Sequence, residues 1–346
     1  MLTSLLLALS SSYAAEVTEV PPWLRGDVDI GYALDYTTGS LVEGDADVGQ
    51  FTQQDHIVHF GGAFAAAPGV ALYFDVPVYA LSRLSFTDAF SMAYDPLNGI
   101  GSMAYGEPLT NTPLREGSGP GGVWLGVRGT PFSETLWPRR GNRSTWMLDV
   151  GYRTPDASNF YVADDASRGG GPGASAFRLR SAFSTTKGVS QPYMRVTWLK
   201  QGVIATDLVD EDGNLLTAGA EVWPGQSIDV LAGVQARAFE NTVNGASFDF
   251  DFHLGAAYNS WSTVPSGIYL PSVLSASRED LVTSSEYGSA YAGLGFYWRM
   301  FKYLQLDLGA DVAYLMPHRL EHPYAVSTGM DTLSVRANGQ ISVLIR

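Results

Sequence analysis

The last fifteen residues of the chain, Thr332 to Arg346, alternate between apolar and polar side chains. The apolar face carries Leu333, Val335, Ala337, Ile341, Val343 and Ile345, and the polar face carries Thr332, Ser334, Arg336, Asn338, Gln340 and Ser342. At the edge of a soluble sheet such a strand would expose unpaired backbone groups, whereas pairing with the first strand of a closed barrel removes that edge. The terminal segment therefore predicts a transmembrane β-barrel.

The same two-residue period recurs upstream in Ser247 to Tyr258 and in Leu304 to Tyr314, which place apolar side chains on one face and aspartates on the other. A soluble β-sandwich would give the same period, so alternation alone leaves both architectures open. Strand length favours the membrane, because these segments reach about ten residues or more, roughly twice the usual length of a soluble strand.

The composition agrees with a lipid-facing exterior. Only 16% of the residues are charged, against about 25% in a typical soluble domain. The net charge of -14 argues against a nucleic-acid partner, since phosphate neutralisation needs clustered Lys and Arg. The absence of cysteine excludes disulfides and zinc-thiolate sites. No cofactor and no metal are expected.

Residues 1–15 resemble a secretory signal peptide, with an apolar region from Leu5 to Leu9 and a small-x-small cleavage site at Ser12-Tyr13-Ala14. No Lys or Arg precedes the apolar region, so a buried N-terminal helix or strand is the alternative. Residues 16–346 are expected to form a single barrel domain.

Thirteen segments show strand-like alternation, and the parity of short and long connections calls for one more between Asn259 and Ser285. The fold class is therefore all-β, an antiparallel transmembrane barrel of about 14 strands, within a range of 12 to 16, with short periplasmic turns and long extracellular loops. The predicted loops are 37 to 55, 82 to 121, 155 to 173, 202 to 213 and 316 to 331, with an irregular stretch at 260 to 285.

Charged residues on the polar faces should point into the lumen, where opposite signs should pair because isolated buried charges are costly. The candidates are Asp149, Arg153, Arg178, Arg180, Arg195, Arg237, Asp249, Asp251, His253, Asp307, Asp311 and Arg336, with Asp27, Asp29, Asp35 and Asp229 in the same rows. Such a network could stiffen and plug the barrel, or it could form a polar path for a solute.

The predicted loop from 82 to 121 is unusually long and contains apolar side chains, so it could fold into the barrel mouth as a constriction or remain an ordinary surface loop. The candidate substrate-path residues in it are Phe86, Phe90, Met92, Tyr94, Met103 and Tyr105.

Three local motifs have more ordinary interpretations than the chemistry they suggest. His318 to His322 matches an H-x-x-E-H zinc pattern, but Pro317 and Pro323 bracket it, which disfavours the helix that the motif requires. The acidic segment from Asp207 to Asn214 lacks the full calcium-loop pattern and contains a hairpin turn. The glycines from Gly169 to Gly173 lack the context of a phosphate-binding loop.

The order of these segments resembles FadL-like outer-membrane transporters of the phenol-degradation meta-pathway type. The resemblance rests on the hairpin from His56 to Val78, the strand from Gly122 to Arg128, the strand ending in a proline from Trp146 to Pro155, and the Gly169 to Gly173 loop. It implies passive uptake of hydrophobic molecules through a barrel of about fourteen strands in the outer membrane.

The sequence thus predicts an outer-membrane channel of a Gram-negative bacterium for passive uptake of small hydrophobic or aromatic compounds, and no enzyme. Outer-membrane lipid and a small hydrophobic ligand are its expected partners, with envelope proteins as possible ones. The alternative is a structural or anchoring barrel with a closed lumen that scaffolds an envelope complex.

Overall fold

The computed structural model describes residues 25–43, 46–87, 92–93, 104–105, 112–133, 144–156, 173–209, 215–265, 281–322, 325–328 and 332–345. These residues are organised into β-strands, and none of them forms a helix that is long and apolar enough to cross a membrane. The strands are β1 (Gly26–Glu43), β2 (Ala46–Ala67), β3 (Val70–Thr87), β4 (Met92–Ala93), β5 (Ala104–Tyr105), β6 (Thr112–Pro120), β7 (Trp124–Phe132), β8 (Ser144–Arg153), β9 (Ala176–Thr185), β10 (Ser190–Gln201), β11 (Ile204–Val209), β12 (Leu215–Val222), β13 (Gln226–Asn241), β14 (Ala246–Asn259), β15 (Ser262–Pro265), β16 (Leu281–Ser284), β17 (Tyr287–Phe301), β18 (Leu304–Leu315), β19 (Arg319–His322), β20 (Ala325–Thr328) and β21 (Thr332–Ile345).

Twelve strands close into an antiparallel barrel. Their order around the ring is β1, β2, β3, β7, β8, β9, β10, β13, β14, β17, β18 and β21. The terminal strand β21 pairs with β18 on one side and with β1 on the other, from Gly26 opposite Ile345 to Gly39 opposite Thr332. The predicted closure of the barrel by this strand is confirmed, and twelve strands fall within the predicted range.

Two segments account for the difference between the twelve barrel strands and the fourteen that the sequence predicts. The predicted strand from Asn214 to Trp223 becomes β12, which pairs with β11 as a separate hairpin, so β10 pairs directly with β13. Between Asn259 and Ser285 the described residues form only the short pair β15 and β16, and β14 pairs directly with β17. A rim hairpin has the same alternation and turn residues as a wall strand, so the sequence pattern does not separate them.

Several predicted loops are wrong in part because the chain continues as strand. Residues 37 to 55 belong to β1 and β2 except at the connection between them. Thr112–Pro120 forms β6, which pairs with β3, and the stretch from 316 to 331 contains the hairpin of β19 and β20. Beyond the bilayer both faces of a strand are polar, so the alternation that marks a membrane strand is lost.

The outside of the barrel carries a continuous apolar belt. Exposed side chains include Val28 and Ile30 on β1, Leu125 on β7, and Leu333 and Val343 on β21. In water such a surface would aggregate, whereas in a bilayer it contacts lipid.

Aromatic side chains border this belt at both ends, as in transmembrane barrels generally. One group lies at the end of the barrel that holds the short turns: Phe132 and Trp146, whose ring centroids are 5.9 Å apart, with Trp298, Phe301 and Tyr303. The other lies at the opposite end and contains Trp223, Trp261 and Tyr314. Because short turns face the periplasm in bacterial barrels, the end that holds Gly26 and Ile345 is the periplasmic end.

Candidate functional site: the lumen and its periplasmic cavity

The inward face of the barrel is dense with charged side chains. Of the predicted lumenal charges, those almost fully buried are Asp149, Arg153, Arg180, Arg195, Asp249, Asp251, His253, Asp311 and Arg336. Arg178 and Asp307 are partly buried, and Arg237 is exposed, where its Nε lies 3.1 Å from Asp249 Oδ1. The strands therefore bring this set together along one continuous interior wall.

A cluster of three guanidinium groups surrounds Asp149. Arg128 Nε lies 3.4 Å from one carboxylate oxygen of Asp149 and Arg178 Nε lies 3.6 Å from the other. Arg180 is the register partner of Asp149 on the neighbouring strand. The guanidinium of Arg178 also lies 4.7 Å from the ring centroid of Trp124, a favourable cation–π geometry. Asp149 thus lies at the centre of a group of three arginines.

Four side-chain bridges in the lumen share one design. A large inward side chain lies over an inward glycine of the next strand and reaches an aspartate on the strand beyond. Tyr73 passes over Gly126 to Asp149, Tyr193 over Gly233 to Asp251, Tyr291 over Gly255 to Asp229, and His253 over Gly293 to Asp311. The donor-to-acceptor distances run from 2.5 to 3.0 Å. The glycines leave the space that the bridging rings occupy.

The tyrosine bridges should contribute measurably to stability. Tyr193 donates a hydrogen bond of 3.0 Å to Asp251 in a buried setting. Because hydrogen bonds to charged groups contribute about 1.5–3 kcal/mol, Tyr193→Phe should lower the free energy of unfolding by roughly that amount. Tyr36→Phe, on the lipid-facing surface, is the matched control. Urea titrations in detergent, followed by tryptophan fluorescence, measure both; equal stabilities would contradict the bridge.

A cavity of about 170 Å³ lies at the periplasmic end of the lumen. Its lining contains both signs of charge: Arg128, Arg178 and Arg180 together with His59, Asp27, Asp29, Asp75 and Asp307. His59 and Asp75 form an ion pair at 3.2 Å when the histidine is protonated. Aromatic and amide groups complete the lining: Tyr73, Phe74, Tyr297, Gln305, Asn338 and Gln340.

The predicted substrate-path residues are placed only in part. Phe86 lies in β3 opposite Phe51, and Met92 pairs with Tyr105 in the small hairpin of β4 and β5. Phe90, Tyr94 and Met103 lie outside the described residues, as does the predicted signal peptide at 1–15.

The H-x-x-E-H segment is not a helix. Residues 319 to 322 form strand β19, and His318 stacks on Tyr287 with the ring centroids 4.4 Å apart. Burial lowers the pKa of His318 below its ordinary value. Over the described part of the chain, no group of three or more His, Cys, Asp or Glu side chains is arranged to hold a metal ion.

Some inward residues of the lumen are absent from the predicted set. Tyr73 and Trp124 were not assigned to the lumen, and neither was Arg128. Tyr73 lies between the outward Leu72 and Phe74, so the register of β3 alone would have placed it inward. Its glycine and aspartate partners become apparent only once the pairing of β3, β7 and β8 is known.

No protein-family model matches the sequence, and no curated protein matches it. Among solved structures, the chain is similar to an outer-membrane channel from Pseudomonas putida F1, with 13% identity, coverage of 97% of this chain and 100% of that chain, and a TM-score of 0.55. It is more distantly similar to the Pseudomonas putida toluene transporter TodX, with 10% identity, coverage of 97% and 95%, and a TM-score of 0.43. A Pseudomonas aeruginosa FadL homologue has 10% identity, coverage of 92% and 90%, and a TM-score of 0.39.

The similarity to the Pseudomonas putida F1 channel concerns the fold. It agrees with the predicted outer-membrane barrel, while the meta-pathway subtype stays a prediction. Together with the apolar belt and the aromatic groups at its borders, it identifies the chain as a β-barrel of the cell outer membrane.

Proposed function

We propose that the chain is an outer-membrane channel for passive uptake of small hydrophobic or aromatic compounds. The observation that carries this proposal is the presence of buried apolar side chains inside the barrel, here called the apolar track. The track consists of three groups of buried side chains: Ala33, Ile57 and Tyr79; Trp124, Ala176 and Leu199; and Ala174, Ile204 and Val222.

One group of the track lies at the extracellular end of the barrel. Ala174 precedes β9 and Ile204 follows β10, at the extracellular ends of these strands. Ala176 lies next along β9, and Arg178 and Arg180 follow further towards the periplasm. Transmembrane barrels usually have a polar interior, so a buried apolar track favours an apolar solute, whose transfer from water gains about 25 cal/mol per Å² of buried apolar surface.

The mechanism would be diffusive. Apolar residues of the extracellular segments, among them Phe86, Phe90, Met92 and Tyr94, would capture the compound, and the track would guide it inward. Release would follow through the lumen or sideways into the membrane. The shared fold with a Pseudomonas putida outer-membrane channel supports this proposal.

Replacing Leu199 by glutamine tests the track. The amide adds a polar group where an apolar solute would pass. Uptake of toluene into proteoliposomes should therefore fall roughly five- to tenfold, because the solute loses about 1 kcal/mol of apolar contact. Leu199→Met keeps the track apolar and is the matched control. Toluene entry at the same rate with and without the wild-type protein in the liposomes would contradict the proposed function.

A second candidate function is a structural or anchoring barrel with a closed lumen. The observation in its favour is the interior network, in which side chains such as Asp149, Arg153 and Arg336 are almost completely buried. Single-channel recording in planar bilayers separates the two candidates. An absence of conductance from folded protein would favour the anchor, and stable conductance steps would favour the channel.

A further inference from the structure

Arg153 on β8 is a buried cation that the channel function proposed above does not use. Its side chain is only 1% exposed. The register places Ala176 of β9 between Arg153 and Gln201 of β10, and Arg153 Nη2 lies 3.3 Å from the Gln201 amide oxygen. Arg153 therefore forms a bridge of the same design as the four described above, with a small residue on the intervening strand.

This bridge differs from the other four in the group at its far end. They end on aspartates, whereas the bridge of Arg153 ends on the neutral amide of Gln201. The guanidinium also donates to the carbonyl oxygen of Ala174, from Nε at 3.3 Å and from Nη2 at 3.0 Å. The acceptors that the described residues offer to this cation are therefore neutral.

The charge of Arg153 is not matched by an ion pair among the residues that the structure describes. Asp156 attracts the guanidinium electrostatically, but the two form no ion pair within 4.0 Å. Arg153 Nη1 is buried and has no hydrogen-bond partner. Because a buried charge without an ionic partner is costly, the arrangement favours the arrival of an anion from outside the chain.

Apolar side chains lie beside this bridge. The guanidinium carbon of Arg153 lies 5.5 Å from the ring centroid of Trp124, a cation–π geometry. Trp124 packs with Ala176 and Leu199 in one group of the apolar track. A cationic group beside an aromatic and aliphatic wall suits a molecule that has an acidic head and an apolar body.

We infer that Arg153 binds the carboxylate of small aromatic acids, an inference that names the substrate class of the channel proposed above and rests on that proposal. The carboxylate displaces the amide of Gln201, whose hydrogen bond of 3.3 Å is long, and pairs with Nη1 and Nη2. Such forked pairs are stronger than hydrogen bonds between neutral groups. The aromatic body lies against Trp124 and Leu199.

Gln201 also explains how the acid leaves again. When the carboxylate departs, the amide returns to Nη2, so the guanidinium regains an acceptor at each release. A passive channel needs a site that is favourable enough to enter and weak enough to leave. The exchange between a neutral amide of the chain and a carboxylate of the solute meets both conditions.

Isothermal titration calorimetry of the full barrel in detergent tests the inference with 3-phenylpropionate and 3-phenylpropanamide. The two compounds have the same shape, and only the first is charged. We expect the acid to bind about tenfold more tightly than the amide, because hydrogen bonds between charged partners are the stronger ones. Equal affinities, or no binding of the acid, would overturn the inference.

Two variants assign the preference to Arg153. Gln201→Glu supplies a carboxylate from the chain itself, so it should abolish the preference for the acid while raising the urea midpoint of unfolding. Arg153→Met should also bring the acid to the affinity of the amide. Lys187→Gln, at an exposed periplasmic turn, is the matched control and should keep the preference. A preference that persists in Gln201→Glu would contradict the role of Arg153, and this variant is sufficient if Arg153→Met does not fold.

Toluene entry into proteoliposomes distinguishes failure of this inference from failure of the channel function. If toluene enters but the barrel does not prefer the acid, the inference is overturned and the channel function stands. If toluene entry is the same with and without the protein, the channel function fails, and this inference fails with it.

Discussion

Replacing Gly126 by valine should lower the free energy of unfolding by about 3 kcal/mol, the upper end of the usual cost of overpacking a well-packed site. A Cβ on Gly126 would lie 2.3 Å from both Cζ and the hydroxyl oxygen of Tyr73. The same hydroxyl also packs closely against the register partner Gly151, where a Cβ would lie 2.4 Å from it, so the ring has no room to shift in that direction. Tyr73 would have to leave the slot, and its hydrogen bonds to Asp149 and Arg178 would be lost.

The same strand provides a control for this prediction. A Cβ on Gly129 would meet only the carbonyl oxygen of Gly69, at 3.9 Å. Gly129→Ala should therefore change the free energy of unfolding by no more than about 0.5 kcal/mol. Urea titrations of both variants in liposomes, together with gel mobility before and after heating, provide the comparison. If Gly126→Val were as stable as Gly129→Ala, the Tyr73 bridge would not contribute to holding the wall.

The alternation within one strand predicts which residues of the lumen face inward, but it does not predict the bridges between strands. Period-two patterning placed Asp149, Asp251 and Asp311 on inward faces, because the opposite face of each strand carries large apolar side chains. It could not show that Tyr193 reaches Asp251, since β13 lies between the strands that hold them. That contact depends on pairing between segments that are far apart in sequence.

The prediction of strands from the sequence has the same limit. Each membrane-spanning strand can be predicted from its apolar lipid-facing residues, such as Leu333 and Val343 in β21. The sequence of β6, with Arg115, Glu116 and Gly117, lacks the apolar alternation and is typical of a loop, but backbone pairing with β3 makes it a strand. Hydrogen bonding to a neighbouring strand leaves no periodic trace in a polar segment.

The apolar track and the cavity were also beyond sequence reasoning. Trp124 and Leu199 are apolar residues in strands whose lipid-facing residues are apolar too, so composition does not tell the two faces apart. Their inward position follows from their register with Arg153 and Arg178. The cavity requires a further step, because it joins residues from both halves of the chain.

The seam where the barrel closes contains a buried ion pair whose loss should have the largest effect on stability. Arg336 Nε on β21 lies 3.0 Å from Asp35 Oδ1 on β1, and both side chains are almost fully buried. Arg336 also stands in register with Asp311, and Asp35 stands in register with Asp55. Arg336→Met would leave these three carboxylates side by side without the guanidinium, so the free energy of unfolding should fall by about 3–5 kcal/mol.

A double variant separates the loss of the pair from the cost of one uncompensated charge. Asp35→Leu combined with Arg336→Met removes both members, and well-packed apolar replacements of a buried pair are often neutral or stabilising. We therefore expect the double variant to recover most of the stability that Arg336→Met loses. Urea titration of the wild type, both single variants and the double variant completes the cycle. If the loss in the double variant equalled the sum of the losses in the two single variants, the ion pair would not hold the seam. The backbone hydrogen bonds and contacts such as that of Thr37 with Ser334, at 3.0 Å, would then hold it.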